Sequence, residues 1–229
     1  MKFELFCPVY NEEYMLPYMV NWYKHKVGEH NIVFNIYDNG STDNTVQIAK
    51  DLGCNVGVFE TGGQVRDDLL MDWKNSIWKD SKADFVIVCD CDEFVDICVE
   101  QLNGYTLLPT IGYNMVGILG ENPDIIVDGV PSEDMNKVCV FNPEAIKNIN
   151  YVHGAHVCNP KGEIKKASPV GLYHMKFISE QYIVDKYKSS QKRLSDINKK
   201  HGWGFQYEME EAAIRVMYGH MVNAKKRIR

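Results

Sequence analysis

The sequence predicts an α/β fold: a single doubly wound, mainly parallel sheet flanked by helices, with further helices at the C-terminal end. Short apolar runs alternate with longer amphipathic runs throughout the first half of the 229-residue chain, as in consecutive strand–helix units. The run from Asp84 to Cys89 is almost wholly apolar, as expected of a central strand that is buried on both faces. The composition, with 45% hydrophobic and 24% charged residues, is typical of a globular protein and excludes disorder as the general state.

The first half supplies strands and helices in alternation. Strands are predicted from Phe3 to Val9, Asn31 to Tyr37, Asn55 to Phe59 and Asp84 to Cys89. Helices are predicted from Glu12 to Lys26, Val46 to Leu52 and Val65 to Lys79, because apolar residues recur there at helical spacing. Asn11 is the expected cap of the first helix. The apolar stripe of the third helix is expected to face the core; it consists of Leu69, Leu70, Trp73, Ile77 and Trp78.

The second half is less regular. Strand-like runs extend from Tyr113 to Leu119, Lys137 to Phe141 and Pro169 to Tyr173. The polar stretch from Gly120 to Asp134 has the composition of a functional loop. Two amphipathic helices, Ser179 to Lys200 and Tyr207 to Val222, are predicted to close the fold. The basic end, Lys225 to Arg229, is interpreted mainly as a helix end that complements the helix dipole, and peripheral docking to a membrane surface is the alternative.

Length and composition limit the remaining possibilities. A chain of this length can form one domain, residues 1–229, that folds without disulfides or a structural metal. The formal charge of −6 argues against a general attraction to nucleic acid. No apolar run of about 18 residues and no signal-peptide pattern occurs, which favours a cytoplasmic protein without a transmembrane segment. The seven cysteines include no Cys-x-x-Cys pair and are expected to be reduced thiols, several of them in the core.

Polar segments follow three of the predicted strands at the point where each strand ends. These segments are Pro8 to Glu13, Asp38 to Asp43 and Asp90 to Glu93. Because the carboxyl edge of an open α/β sheet is where ligands bind, we expect the segments to share one site. The last segment crowds three carboxylates, which repel one another unless a cation or hydrogen-bond donors lie between them. Two aspartates one residue apart suit a divalent cation that bridges phosphate oxygens.

These segments resemble the GT-A fold glycosyltransferases, in particular the large family-2 type and its relatives with an Asp-x-Asp-Glu-Phe motif. The matching motifs are Tyr10-Asn11-Glu12-Glu13, Tyr37-Asp38-Asn39-Gly40-Ser41-Thr42-Asp43, Gln64 with Arg66, and Asp90-Cys91-Asp92-Glu93-Phe94. A weaker match continues at His156, Tyr173, His174, Lys176, Lys186 and Lys188. The resemblance implies a GT-A fold in which residues 1–96 bind the nucleotide, residues 97–178 face the acceptor and residues 179–229 close the domain.

The resemblance implies a metal-dependent enzyme that moves a sugar from a nucleotide-sugar donor, with UDP favoured, to a glycan or other hydroxyl acceptor. Asp92 would bind Mn²⁺ or Mg²⁺, Asp90 would reach the ribose or a metal-bound water, and His174 would complete the metal shell. Asp38 would accept the N3 proton of uracil, and Arg66 would pair with phosphate or with Asp38. The other donor-site residues are Pro8, Val9, Tyr10, Asn11 and Glu12. The alternatives are a hydrogen-bonded core histidine at position 174 and an exposed arginine at position 66.

The resemblance favours inversion at the anomeric carbon, which requires a base to take the proton of the acceptor hydroxyl. Glu133 and Asp134, in the polar loop after Pro131, are the first candidates. Asp128, Glu121 and His156 are the further candidates. For each of these residues a surface or structural role is the alternative. A separate metal site at His153 and His156 is disfavoured because their surroundings are predicted to be strand and loop.

Other functions stay open at this stage. A haloacid dehalogenase phosphatase also has Asp-x-Asp after a buried strand, but its motif continues differently from Glu93-Phe94. A nucleotidyltransferase would carry a glycine-rich fingerprint after the first strand, which this chain lacks. A binding module without catalysis would leave the charge of Asp90 and Asp92 without a purpose. The run from Asp38 to Thr45 lacks the glycine and the distant glutamate of an EF-hand.

Overall fold

The central sheet begins with parallel strands that alternate with helices along the chain. The computed structural model describes residues 1–118 and 122–229. Its first elements are β1 (Phe3–Val9), α1 (Leu16–Val27), β2 (Ile32–Asp38), α2 (Thr45–Asp51), β3 (Asn55–Val58), α3 (Asp67–Ser76) and β4 (Phe85–Val88). β1 pairs in parallel with β2 and β4, and β3 pairs in parallel with β2. The order β3-β2-β1-β4 confirms the predicted α/β architecture.

Both faces of the middle strands are buried. Leu5 of β1 and Ile87 of β4 belong to one hydrophobic cluster, whereas Phe6, Val86 and Val88 belong to a second cluster. Successive side chains of a strand point to opposite faces, so the two clusters lie on opposite sides of the sheet. Each large apolar side chain buried in this way contributes about 1.5 to 3 kcal/mol. Burial on both faces explains why the sequence of β4 is apolar without alternation.

The rest of the sheet is mostly antiparallel. The next elements are β5 (Glu93–Val95), β6 (Leu107–Val116), β7 (Asp128–Pro131), β8 (Val138–Phe141), β9 (Ile146–Asn148), β10 (Lys161–Gly162) and β11 (Val170–Phe177). β8 pairs antiparallel with β4 and with β6, and β7 pairs antiparallel with β6. β11 lies parallel to β6 and antiparallel to β5, which brings the end of β11 beside the residues that follow β4. β9 and β10 form a separate pair.

The C-terminal elements differ from the prediction of two long helices. They are α4 (Glu180–Arg193), α5 (Asp196–His201), α6 (Glu211–Ala224) and β12 (Lys226–Arg227). The predicted helix from Ser179 to Lys200 breaks after Arg193, because the backbone there is extended and Ser195 caps a new helix by accepting from the Asn198 N–H. At the break, the Val65 N–H donates to the Arg193 carbonyl at 2.8 Å. The second predicted helix begins only at Glu211, after a 3₁₀ turn at Phe205–Glu208.

The start of the first helix was predicted too early. Asn11 does not cap it: Asn11 has a left-handed φ of 52°, and its side chain accepts from the Thr42 N–H at 2.7 Å. The helix begins at Leu16 with Pro17 in its first turn, where a missing N–H leaves no helical bond unmade. Tyr10 to Tyr14 therefore form a loop along the edge of the sheet.

Two further expectations concern the loop from 120 to 134 and the basic end. The loop contains β7 and 3₁₀ turns at Pro123–Ile125 and Glu133–Met135, while residues 119–121, and with them the candidate Glu121, lie outside the described residues. The basic end does not finish a helix. Lys226 and Arg227 pair with β7, and the Arg229 guanidinium lies over the Trp22 ring.

The cysteine and helix-stripe expectations are met in large part. Five cysteines are buried and none of the described cysteines forms a disulfide; the buried ones are Cys7, Cys54, Cys89, Cys91 and Cys139. Trp73, Ile77 and Trp78 join the second hydrophobic cluster, whereas Leu69 and Leu70 are half-buried and join none of the clusters. Within α3 itself the buried residue is Lys74. No helix within residues 1–118 and 122–229 is long and apolar enough to cross a membrane.

Candidate functional site

A cavity of about 330 Å³ opens at the carboxyl ends of β1 and β4. Its wall includes Pro8, Val9, Tyr10 and Glu12 from the β1 end, Arg66 from the start of α3, Asp90 and Asp92 from the β4 end, and His174 from β11. Most of the residues that the sequence assigned to one site thus lie around one cavity. The parallel strands explain this convergence, because their carboxyl ends meet at the same edge of the sheet.

Buried lysines compensate two of the three crowded carboxylates. Lys137 pairs with Glu93, and both side chains are buried. Lys74, whose side chain is 3% exposed, donates to Asp90 Oδ1 at 2.6 Å. Burial opposes ionisation of Asp90, but Lys74 and then Lys137 outweigh it and hold the pKa of Asp90 below its usual range. The repulsion expected within this segment is therefore relieved by hydrogen-bond donors at Asp90 and Glu93.

Asp92 faces a histidine rather than a lysine. His174 Nε2 lies 3.6 Å from Asp92 Oδ2, while His174 Nδ1 lies 2.8 Å from Asn114 Oδ1. Because an amide oxygen only accepts, Nδ1 carries the proton and a neutral His174 turns the Nε2 lone pair toward a carboxylate. Burial opposes ionisation of Asp92, whereas a protonated His174 and the nearby Lys186 and Lys176 act in the opposite direction and hold the pKa of Asp92 well below its usual range. A cation bound at Nε2 would take the place of that proton.

This donor pair fits a divalent cation. Two electron-rich atoms that face each other at 3.6 Å are stabilised when a cation binds both, and the Asn114 contact fixes the tautomer that leaves Nε2 available. Among the described residues, no group of three or more His, Cys, Asp or Glu side chains is arranged to hold a metal. Mg²⁺ is commonly held by one or two carboxylates together with substrate phosphates and water, and imidazole suits several transition metals, so two protein ligands are compatible with such a site.

Glu12 and Lys186 form an ion pair across the cavity wall, between the loop after β1 and helix α4. Glu12 is 8% exposed, and its Oε2 has no hydrogen-bond partner. Burial raises the pKa of Glu12 to about 7, although Lys186 acts in the opposite direction. The ion pair leaves Glu12 Oε2 buried at the cavity wall, where this oxygen can accept a hydrogen bond from a ligand.

Arg193 of α4 lines the cavity beside the end of β1. Its guanidinium carbon lies 3.1 Å from the centroid of the Tyr10 ring. Nη2 donates to Asn39 Oδ1 at 3.0 Å, and Nε donates to the Gly63 carbonyl at 2.7 Å. A planar guanidinium can stack and donate in two directions at once. Arg193 thus ties α4 to the loops that follow β1, β2 and β3.

Three residues that the sequence assigned to the donor site make contacts elsewhere. Asp38 does not line the cavity, and its carboxylate accepts from the Gly40 and Ser41 N–H groups at 3.1 Å. Asn11 is likewise off the wall and contacts the Thr42 loop. Arg66 lines the cavity but pairs with Asp68 through two hydrogen bonds of 2.6 and 2.8 Å. Asn39, the neighbour of Asp38, is the residue of that segment on the wall.

The candidate bases divide into exposed and wall positions. Glu133 and Asp134 are exposed in the 3₁₀ turn Glu133–Met135 and do not line the cavity, whereas Met135 does. Asp128 lies in β7 and pairs with Lys225 at 3.3 Å. His156 lines the cavity, and its Nδ1 lies 2.6 Å from the backbone carbonyl oxygen of Asp134. The geometry therefore brings His156 to the site, with Asp134 present through its backbone.

Comparisons with known proteins give remote structural likeness. No family model and no curated protein matches the chain. A crystal structure of residues 1–349 of TarS from S. aureus is 14% identical over 93% of this chain and 68% of its own, with a TM-score of 0.46. The same TarS fragment in complex with UDP-GlcNAc is 13% identical over 98% of this chain and 72% of its own, with a TM-score of 0.42.

A second group of similar structures is glucosyl-3-phosphoglycerate synthase from Mycobacterium tuberculosis. Its complex with Mn²⁺, UDP and phosphoglyceric acid is 12% identical over 82% of this chain and 78% of its own, with a TM-score of 0.43. The chain spans 41% of the longer TarS structure. Because each identity is below 25% and each TM-score below 0.5, these likenesses assign no activity to this chain.

Several residues of the site carry little or no signal in the sequence. Lys74 and Lys137 carry no motif, and a lysine within a helical stripe or before a strand is normally solvated. Asn114 is the one amide in the apolar run from Tyr113 to Leu119, and that was a usable signal because a half-buried amide in a strand needs a hydrogen-bond partner. Arg193 sits in the last turn of a helix, where a basic residue usually complements the helix dipole.

Proposed function

We propose that this protein is a metal-dependent GT-A glycosyltransferase that moves a sugar from a nucleotide-sugar donor, with UDP favoured, to a hydroxyl acceptor with inversion. The observation that carries the proposal is the pair of Asp92 and His174, which face each other at 3.6 Å in the cavity at the end of β4. The motif resemblance adds the reaction type. The acceptor is a glycan or another molecule with a free hydroxyl group.

The cavity is suited to an anionic donor. Lys176 and Lys186 lie close enough to Asp92 to lower its pKa, and Arg66 and Arg193 line the same wall. A diphosphate gains from such cations in a partly enclosed site, where their attraction is stronger than in water. Lys186 is oriented by Glu12, so its ammonium group is held on the cavity side of α4.

Asp92 and His174 would hold the Mn²⁺ or Mg²⁺ ion, and Asp90 would reach the ribose or a metal-bound water. When bound, the cation supplies positive charge to the departing diphosphate. Lys74 keeps Asp90 ionised from below the cavity, so that the carboxylate is ready to accept from a hydroxyl group. Asn114 holds the His174 ring in the orientation that presents Nε2.

At the nucleotide end, Pro8, Val9 and Tyr10 would line the base. The role of Asp38 as acceptor for the uracil N3 proton stays a prediction. Its carboxylate already accepts hydrogen bonds from two backbone N–H groups. Asn39 offers an amide on the cavity wall in the same segment. The assignment of Asn11 to the donor site, the single-domain organisation and the cytoplasmic location also stay predictions.

The test is to incubate the protein with a panel of nucleotide sugars and Mn²⁺ and to measure the release of nucleoside diphosphate. We expect slow release from at least one donor, the uridine-linked ones first, and loss of that release when EDTA removes the cation. A matched reaction with Asp92→Asn should show no metal-dependent release. Nucleotide binding without turnover on any donor would favour a binding module instead.

A further inference from the structure

His156 has one nitrogen fixed by the backbone and one that is available. Its Nδ1 lies 2.6 Å from the Asp134 carbonyl oxygen, which can only accept, so Nδ1 carries the proton in the neutral ring. The lone pair of a neutral His156 is therefore on Nε2. No hydrogen bond to Nε2 occurs among the described residues, and the side chain lies on the cavity wall.

We propose that His156 is the general base that takes the proton from the acceptor hydroxyl group; this rests on the proposed glycosyltransferase function. In the step, the acceptor oxygen forms a bond to the anomeric carbon while the bond from that carbon to the diphosphate oxygen breaks. The leaving diphosphate keeps the bonding electron pair, and the hydroxyl proton moves to His156 Nε2. The imidazolium then returns the proton to solvent before the next turnover.

The wall carboxylates at the ends of β1 and β4 are already engaged. Glu93 pairs with Lys137, Asp90 with Lys74, and Glu12 with Lys186. Lys74 and Lys137 hold the pKa of Asp90 below its usual range, so Asp90 is a weak base. The pKa of Glu12 is raised to about 7, but Lys186 holds its Oε1, and its Oε2 is assigned to a hydrogen bond from a ligand at the β1 end of the cavity. Asp92 faces His174 and is assigned to the cation. Glu133 and Asp134 are exposed and do not line the cavity, whereas His156 does. An acceptor bound in the cavity would therefore contact His156 rather than either of these carboxylates.

The electrostatic surroundings favour a neutral His156. Burial lowers the pKa of His156, and Lys137 lowers it further, while the Asp134 carbonyl, Glu93 and Asp90 act in the opposite direction. Helix α3 packs against the turn before His156. The buried charged residue of α3 is Lys74, which pairs with Asp90. A base must be unprotonated to act, so a lowered pKa keeps the ring competent at neutral pH.

The chain before His156 makes room for the ring. Gly154 has a φ of 74°, and a Cβ built there would lie 2.7 Å from His156 Cδ2 and 3.2 Å from Nε2. A side chain at position 154 would therefore push the ring away from its place. The local turn and the Asp134 carbonyl together fix the direction of Nε2, which is what a base needs in order to act on a bound hydroxyl group.

The experiment compares His156→Asn with wild type and with His220→Asn, a matched change at an exposed histidine of α6. The Asn amide can still donate toward the Asp134 carbonyl but offers no imidazole base. The probe reaction is Mn²⁺-dependent hydrolysis of UDP-glucose and UDP-GlcNAc, in which water is the acceptor. We expect His156→Asn to lower kcat about 100-fold to 10,000-fold, with Mn²⁺-dependent UDP affinity unchanged by calorimetry and with the acidic limb of the wild-type pH profile lost.

A second measurement does not depend on turnover. Histidine-selective ¹⁵N NMR should show His156, assigned through the variant, as the Nδ1–H tautomer; an Nε2–H tautomer would overturn the proposal. So would a His156→Asn variant within threefold of wild type, or loss of turnover in Asp134→Asn or Glu133→Gln while His156→Asn retains it. If the wild-type protein hydrolyses and transfers no donor, the proposed function fails and the base assignment fails with it. If the wild-type protein is active and His156→Asn keeps that activity, only the base assignment fails and the glycosyltransferase function stands.

Discussion

The guanidinium carbon of Arg193 lies 3.1 Å from the centroid of the Tyr10 ring, although the two residues are far apart in the sequence. The same guanidinium donates to the Gly63 carbonyl and to Asn39 Oδ1. The end of α4 is thus fastened over the loops that follow the first three strands. The contact makes helix α4 part of the cavity wall beside the end of β1.

Arg193→Lys should lower the free energy of unfolding by about 1 to 2 kcal/mol, because lysine cannot stack flat on a ring and donate in two directions. Urea unfolding followed by fluorescence measures this change. Lys192→Ala, at the exposed neighbouring position, is the control and should stay within about 0.5 kcal/mol of wild type. Equal stability of Arg193→Lys and wild type would show that the guanidinium contacts contribute nothing measurable.

Lys74→Met should destabilise the protein by about 2 kcal/mol, because it removes the buried partner of Asp90. This loss of stability is smaller than for a fully buried ion pair, because the Asp90 side chain is 37% exposed and solvent screens part of the attraction. The double variant Lys74→Met with Asp90→Asn should recover part of the loss in a double-mutant cycle. Lys82→Met, at an exposed position, is the matched control. A zero coupling energy would contradict the assigned pairing.

Asn114→Ala should weaken Mn²⁺-dependent UDP binding about 10-fold to 100-fold, because the His174 ring loses the contact that fixes its tautomer. Calorimetry with and without Mn²⁺ measures the effect, and metal-independent binding should not change. Asn103→Ala, at an exposed position, controls for loss of an amide. Unchanged metal-dependent affinity in Asn114→Ala would mean that His174 needs no orientation or does not bind the cation.

Gly154→Ala should lower donor turnover at least about 10-fold, because the new Cβ would displace the His156 ring. Gly202→Ala is a matched control: its φ of 68° gives the same backbone strain, but a Cβ at that position would have no neighbouring atom within 4 Å. Both variants should lose about 1 kcal/mol of stability, and only Gly154→Ala should lose turnover. Equal activity of the two variants would show that the position of the His156 ring does not affect turnover.

The first half of the fold was predictable because its signals are local. β1 has the predicted bounds, and the other parallel strands differ by one residue at one or both ends. Apolar runs interrupted by turn residues are sufficient to define parallel strands and helices. The Asn11 cap failed because that asparagine is used by a long-range contact with the Thr42 loop, which no local pattern reveals.

The second half was harder because its pairings are long-range. β5, β7 and β12 are short strands defined by their partners rather than by their own sequences. The helix predicted through Leu194 breaks because that position pairs with Val65, far away in the chain. The one-domain organisation stays a prediction, supported by the unbroken sheet from β3 to β7.

The sequence predicts which strand ends form the site, but it does not predict which side chains pair with one another there. The clustering of Asp90, Asp92 and His174 follows from the parallel sheet and from β11 returning beside β5. What the sequence could not supply is which side chain compensates which carboxylate. Lys74, Lys137 and Asn114 obtain their roles from burial and contact, and burial depends on the whole fold.

The cation site at Asp92 and His174 can be tested directly with a crystal grown with MnCl₂ and UDP and measured at the manganese absorption edge. If Asp92 and His174 bind the cation, an anomalous peak will lie within coordination distance of an Asp92 carboxylate oxygen and of His174 Nε2, beside the diphosphate of UDP. A cavity that holds UDP with no manganese peak at these two side chains, or with the peak at other residues, would contradict this cation site.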